Sequence, residues 1–87
     1  MRSSAFTVTS TASRIIDKDN VHRTIYLHVV GNGTVYLGAS NVTSSNGLAT
    51  EKHAVPFQMI LPLGEELWAA TANGVTENVR LLIPDVD

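Results

Sequence analysis

The chain has 87 residues, 44% of them hydrophobic and 16% charged, with a formal net charge of −2 and no cysteine. A chain this long is one domain, residues 1–87, and folding removes only about 60 to 65% of the surface it exposes when unfolded. Its core is therefore small, disulfides are excluded, and association is the expected source of further stability. The negative balance argues against a nucleic-acid partner, which would need clustered Lys and Arg, and no segment approaches the roughly 18 to 20 apolar residues of a helical membrane span.

The N-terminal quarter leans positive through Arg2, Arg14, Lys18 and Arg23. It has no apolar stretch of signal-peptide length, so synthesis as a soluble product in the cytoplasm is expected. Sequons at Asn32 and Asn41 then carry no weight. Phe6 to Thr11 alternates apolar and hydroxyl residues, and Ala12 to Ile16 continues the extended pattern, so residues 1–16 form either an extended arm or a first strand. Asp17-Lys-Asp-Asn20 is a cluster of turn formers.

Thr24 to Gly38 reads as two strands around Gly31-Asn-Gly33, a strong local hairpin signal. A three-residue loop would pair Val29 with Val35 and Leu27 with Leu37. Ile25, Leu27, Val29, Val35 and Leu37 would then lie on one face and Tyr26, His28 and Tyr36 on the other. Gly33 is expected at a left-handed position in that turn. Ser40 to Ala54 is polar and reads as a long loop with at most one short strand. Val55, Phe57, Met59 and Leu61 recur at period two, Pro62-Leu-Gly64 ends that strand, Leu67 to Thr71 forms the next, and Asn73-Gly74 turns into a last strand over Asn78 to Ile83. Apolar residues never recur at helical spacing between caps. The fold class is all-β: a compact antiparallel β-sandwich or jelly-roll-like domain of six or seven strands with an extended N-terminal arm or strand.

Residues that carry catalysis are not arranged for it. His22 and His28, six extended residues apart, are separated by roughly 20 Å, and with His53 they make a poor zinc set without a thiolate. The Asp17 to Asn20 segment opens like a calcium loop, but His22 and His28 occupy the positions that need Gly and a bidentate Glu. Glu65-Glu66 points to two faces and keeps a turn soluble. A nucleophile elbow and a phosphate-binding Gly-rich loop are both missing, so an enzyme is not expected, and neither a metal nor a cofactor. Trp68 stacks on a sugar, anchors an interface, or packs as a core aromatic beside Leu67.

Three segments in order, Arg23 to Gly38, Ser40 to Ala49 and Leu61 to Ala69, followed by Val79 to Ile83, resemble small β-sandwich virion structural proteins of tailed bacteriophages, particularly those of actinobacterial hosts. The resemblance covers most of the chain and lies in turn and strand chemistry. It implies a capsid decoration protein on the outer surface of the head, a homotrimer whose partners are the major capsid protein and its own copies, with neither nucleic acid nor membrane involved. The interface residues it leads one to expect are Phe6, Val8, Arg14, Ile15 and Ile16 from the N-terminal segment, Tyr26, His28 and Tyr36 from the hairpin, and Trp68. A tail, baseplate or head-fibre accessory protein and a carbohydrate-binding module are the alternatives.

Overall fold

A computed structural model describes residues 1–52 and 57–84, and the regular elements within them are all strands. There are eight: β1 Arg2–Val8, β2 Ser13–Ile16, β3 Arg23–Val29, β4 Thr34–Gly38, β5 Leu48–Glu51, β6 Phe57–Leu61, β7 Leu67–Ala70 and β8 Glu77–Ile83. The count exceeds the expected six or seven because residues 1–16 supply two strands and the polar stretch after Ser40 supplies β5. His53 and Val55 lie outside the described residues.

The strands form two antiparallel sheets of four, in the orders β1-β8-β3-β6 and β2-β7-β4-β5. Ladder pairing follows a simple rule: β1 with β8, β2 with β7, β3 with β6, and β4 with β5. This is one long antiparallel ribbon bent back on itself, and rolling it up adds the β3–β8 and β4–β7 ladders that complete each sheet. The result is the eight-stranded jelly roll, two open sheets packed face to face.

The pairing overturns the expected hairpin. Segments 24–29 and 34–38 do not pair with each other: β3 lies between β6 and β8, β4 lies between β5 and β7, and residues 30–33 arch from one sheet to the other. Tyr36 faces Ala49 and Ala70, not a residue of β3. Ile25, Leu27, Val29, Val35 and Leu37 are all buried as the alternation requires, but they meet across the sandwich from opposite sheets. Hairpin and arch place the same residues inward, and only the long-range ladders distinguish them.

Two bends of the ribbon are tied at their corners. Where β1 passes to β2 and β7 to β8, the Thr71 amide donates to the Thr9 carbonyl at 2.9 Å and the buried Thr71 hydroxyl donates to the Val75 carbonyl. Where β2 passes to β3 and β6 to β7, Gly64 donates to the Asp19 carbonyl at 2.8 Å, and the Leu63 amide donates to His22 Nδ1 at 3.2 Å. Arg23, 3% exposed, reaches into this same corner and donates to the carbonyls of Asp17 (2.8 Å) and Glu65 (3.1 Å). Its planar fork spans both strokes of the ribbon, which a single ammonium group cannot do.

The core is aliphatic. Val8, Ile25, Leu27, Val29, Val35 and Val79 are wholly enclosed, and Phe6, Phe57 and Met59 pack half-buried against them. Each such aliphatic side chain contributes about 1.5 to 3 kcal/mol through removal from water. On β2 the register shifts between Arg14 and Ile16. This bulge lets Ile15 and Ile16, neighbours in sequence, both enter the core, which a regular strand forbids.

Left-handed backbone occurs at Gly64 (φ 80°) and Gly74 (φ 82°), and Gly33 is absent from that set. Both glycines sit third in four-residue turns closed by Glu65 to Pro62 and Val75 to Ala72 hydrogen bonds, the type II arrangement that demands glycine there.

Candidate functional site

Gly31 and Gly33 answer to Glu77 rather than to a turn. Glu77, 7% exposed, begins β8 on the inward-facing side and places its carboxylate under the β3–β4 arch, where Oε2 accepts the Gly33 amide proton at 2.5 Å. A Cβ on Gly31 would lie 1.8 Å from Glu77 Oε1, and one on Gly33 would lie 2.4 Å from Oε2. Positions 31 and 33 of the arch lack side chains because a carboxylate fills their space. The sequence reading missed Glu77, whose partners Gly31 and Gly33 lie more than forty residues upstream.

The nine expected interface residues divide among three places. Val8, Ile15 and Ile16 are buried in the protein's own core and Phe6 packs against it, so their apolar surface is already spent on folding. Residues 2–8 and 13–16 are strands at the edges of the two sheets, which makes the N-terminal segment part of the sandwich and not a projecting arm.

Tyr26 and His28 lie half-buried on the outer face of the first sheet, where they pair across strands with Leu82 and Arg80. With Ser3 these residues line a shallow groove of about 260 Å³. Arg80 and Leu82 complete the surface and went unnoticed in the sequence because the partner strand of β3 is β8, fifty residues away, and not β4.

Tyr36 lies on the opposite outer face, that of the second sheet, so Tyr26, His28 and Tyr36 do not form one surface. Its companions are Arg14 and Trp68, which face each other across the β2–β7 ladder. Trp68 Nε1 donates to Glu66 Oε1 at 3.1 Å, and Glu66 Oε2 accepts from Arg14 at 3.1 Å, with Asp17 a further 3.5 Å partner of the guanidinium. Glu66 thus joins the indole to the guanidinium, a more specific role than keeping a turn soluble. The 39–47 loop folds over the rest of this face: Val42, 3% exposed, rests on Gly38, and Gly47 sits against Tyr36 and Val42.

A second concavity opens between the sheets along the β6 side. It is about 350 Å³ and apolar, lined by Leu37, Leu48, Phe57, Met59, Leu61 and Leu67, with Glu65 and Glu66 at one end.

No family model, curated protein or solved structure matches this chain.

Among the described residues no three His, Asp or Glu side chains gather as metal ligands. Asp17 and Asp19 instead cap the amides of Lys18 and Asn20 at 2.8 and 2.6 Å, closing a polar turn. The geometry offers exposed faces, grooves and strand edges, which are means of binding by contact.

Proposed function

We propose that this chain is a bacteriophage capsid decoration protein: it binds the outer surface of the head and stabilises contacts between capsomers, its copies self-associated, with trimers the arrangement that the family resemblance implies. The observation that carries this reading is the resemblance of three ordered segments to small virion proteins. It is supported by an eight-stranded jelly roll, an architecture shared by viral capsid and lectin domains. Fold alone does not assign function, so the surface must do so, and its features suit association. The Tyr26, His28, Arg80 and Leu82 face is a mixed apolar and cationic patch of the kind enriched in the cores of interfaces, while Trp68, with the Arg14–Glu66 ion pair beside it, offers a second aromatic patch on the other face.

In this mechanism each copy buries apolar area against the shell and against a sister copy. A few hundred Å² per copy contributes several kcal/mol at about 25 cal/mol per Å², before association costs. Many copies on one shell multiply the effect through avidity.

Quantitative mass spectrometry of purified virions tests the proposal by counting this chain against the major capsid protein. A ratio near one to one is the expected result. A few copies per particle would reassign the chain to the tail, baseplate or head fibres, and absence from virions would overturn the reading and favour a carbohydrate-binding module, for which a glycan-induced shift of Trp68 emission is the direct check.

A further inference from the structure

Wrapping the ribbon leaves four edge strands, β1 and β6 in the first sheet, β2 and β5 in the second. Exposed edges invite pairing with another chain, and proteins guard them with charges, bulges or shortness. Three of the four are guarded here. β2 is four residues long, bulged, and carries Arg14; β5 is four residues long and carries Glu51; β1 carries Arg2. The fourth, β6, reads Phe-Gln-Met-Ile-Leu: it has no charge, and its five-residue ladder with β3 is unbroken, with no bulge.

Among the described residues no backbone hydrogen bond reaches the outer edge of β6. Its Ile60 is 65% exposed, and on the inward side Phe57, Met59 and Leu61 form one wall of the open apolar cleft, with Leu48 of the other sheet 59% exposed across it. The unguarded edge and the open cleft therefore lie on the same side of the molecule.

We propose that this side is a self-association surface: two copies of the chain pair their β6 strands antiparallel about a two-fold axis, joining two first sheets into one continuous eight-stranded sheet. A second copy is the occupant that the charges favour. Antiparallel two-fold pairing sets an uncharged strand against itself, so no like charges meet, and it carries Glu65 and Glu66, at one end of the cleft, away from their own symmetry mates. The same operation brings two apolar clefts together, the self-complementarity that an isologous contact requires. The contact stands independently of the virion reading, and in a larger assembly it joins copies that belong to different trimers.

Sedimentation equilibrium of the full chain over a wide concentration range, with Ile60→Lys as the disrupting variant and Ala5→Lys as the control, tests it. Ala5 is exposed on the same sheet at the opposite edge, so the added charge is matched and only its position differs. The wild type is expected as a reversible dimer, with its dissociation constant raised at least tenfold by I60K and unchanged by A5K. Trp68 emission checks that both variants are folded. Hydrogen exchange of the wild type is expected to show amides within 57–61 gaining protection as the dimer forms. A monomer at every concentration, a dimer or trimer indifferent to I60K, protection confined to other strands, or β6 protection that appears only on adding capsid shells would each overturn the proposal.

Discussion

Adding one methyl group at Gly31 tests why the arch between the sheets contains glycine. A Cβ there would lie 1.8 Å from Glu77 Oε1 and 2.7 Å from Cδ, distances that require the carboxylate to leave. Its departure removes the bond from the Gly33 amide, worth about 1.5 to 3 kcal/mol for a charged acceptor, and relieves the collision. Gly31→Ala is therefore expected to cost about 1.5 to 3 kcal/mol, a sizeable share of the roughly 4 to 13 kcal/mol that a chain of this length possesses. Glu77→Ala alone should cost about 2 kcal/mol, since it strands the Gly33 amide but relieves the burial of a carboxylate. In the double variant the new methyl enters the space that Glu77 vacates, so the two costs should fall short of their sum by about 2 kcal/mol. Urea unfolding followed by Trp68 emission measures all four corners of the cycle. Additivity within about 0.5 kcal/mol would refute the reasoning, because it would mean the glycine serves its own backbone and not the carboxylate beneath it.

Arg23→Lys should destabilise by about 1.5 to 3 kcal/mol, because one ammonium cannot serve the carbonyls of Asp17 and Glu65 together; thermal unfolding should fall by roughly 4 to 8 °C for each kcal/mol lost. Gly47→Ala should cost about 1 to 3 kcal/mol through collision with Tyr36 Cβ, 2.5 Å from the new methyl. Gly74→Ala meets no atom within 4 Å but sits at φ 82°, so its cost of about 1 to 2 kcal/mol is conformational, and Gly74→Asn should recover part of it where Gly47→Asn recovers nothing. Arg14→Ala removes a bridge at an exposed site and should change stability by less than about 1 kcal/mol, yet shift Trp68 emission, since Glu66 contacts both side chains.

Much of the layering was legible in local pattern. Period-two alternation marked Ile25, Leu27, Val29, Val35 and Leu37 as inward, and they are buried; Pro62-Leu-Gly64 and Asn73-Gly74 marked turns, and both carry left-handed glycines. What alternation cannot encode is the sheet in which a strand sits. The Gly-Asn-Gly segment satisfies a hairpin locally, but β3 gains two neighbours from distant parts of the chain, β6 and β8, and this outweighs pairing with β4. Misplacing that one connection carried over to the surface, grouping Tyr26 and His28 with Tyr36 on one face when they occupy two. Ile15 and Ile16 illustrate the other limit: two adjacent apolar residues in an edge strand promise one exposed side chain unless a bulge is known. Glu77 was invisible for a related reason, its partners being forty residues and more upstream.

The ribbon also dictates an order of events in time. β8, the last strand in sequence, is an interior member of the first sheet, wedged between β1 and β3. A nascent chain emerging from the ribosome can close the tip of the ribbon early, since β4 and β5 are neighbours in sequence. The first sheet holds only its β3–β6 ladder until residues 77–83 arrive. Up to that moment β1 has no partner and β3 lacks one side. Such delayed, long-range closure is the hallmark of slow-folding β topologies. A truncation that removes β8 would therefore abolish the fold outright rather than trim it, leaving apolar strands open to aggregation.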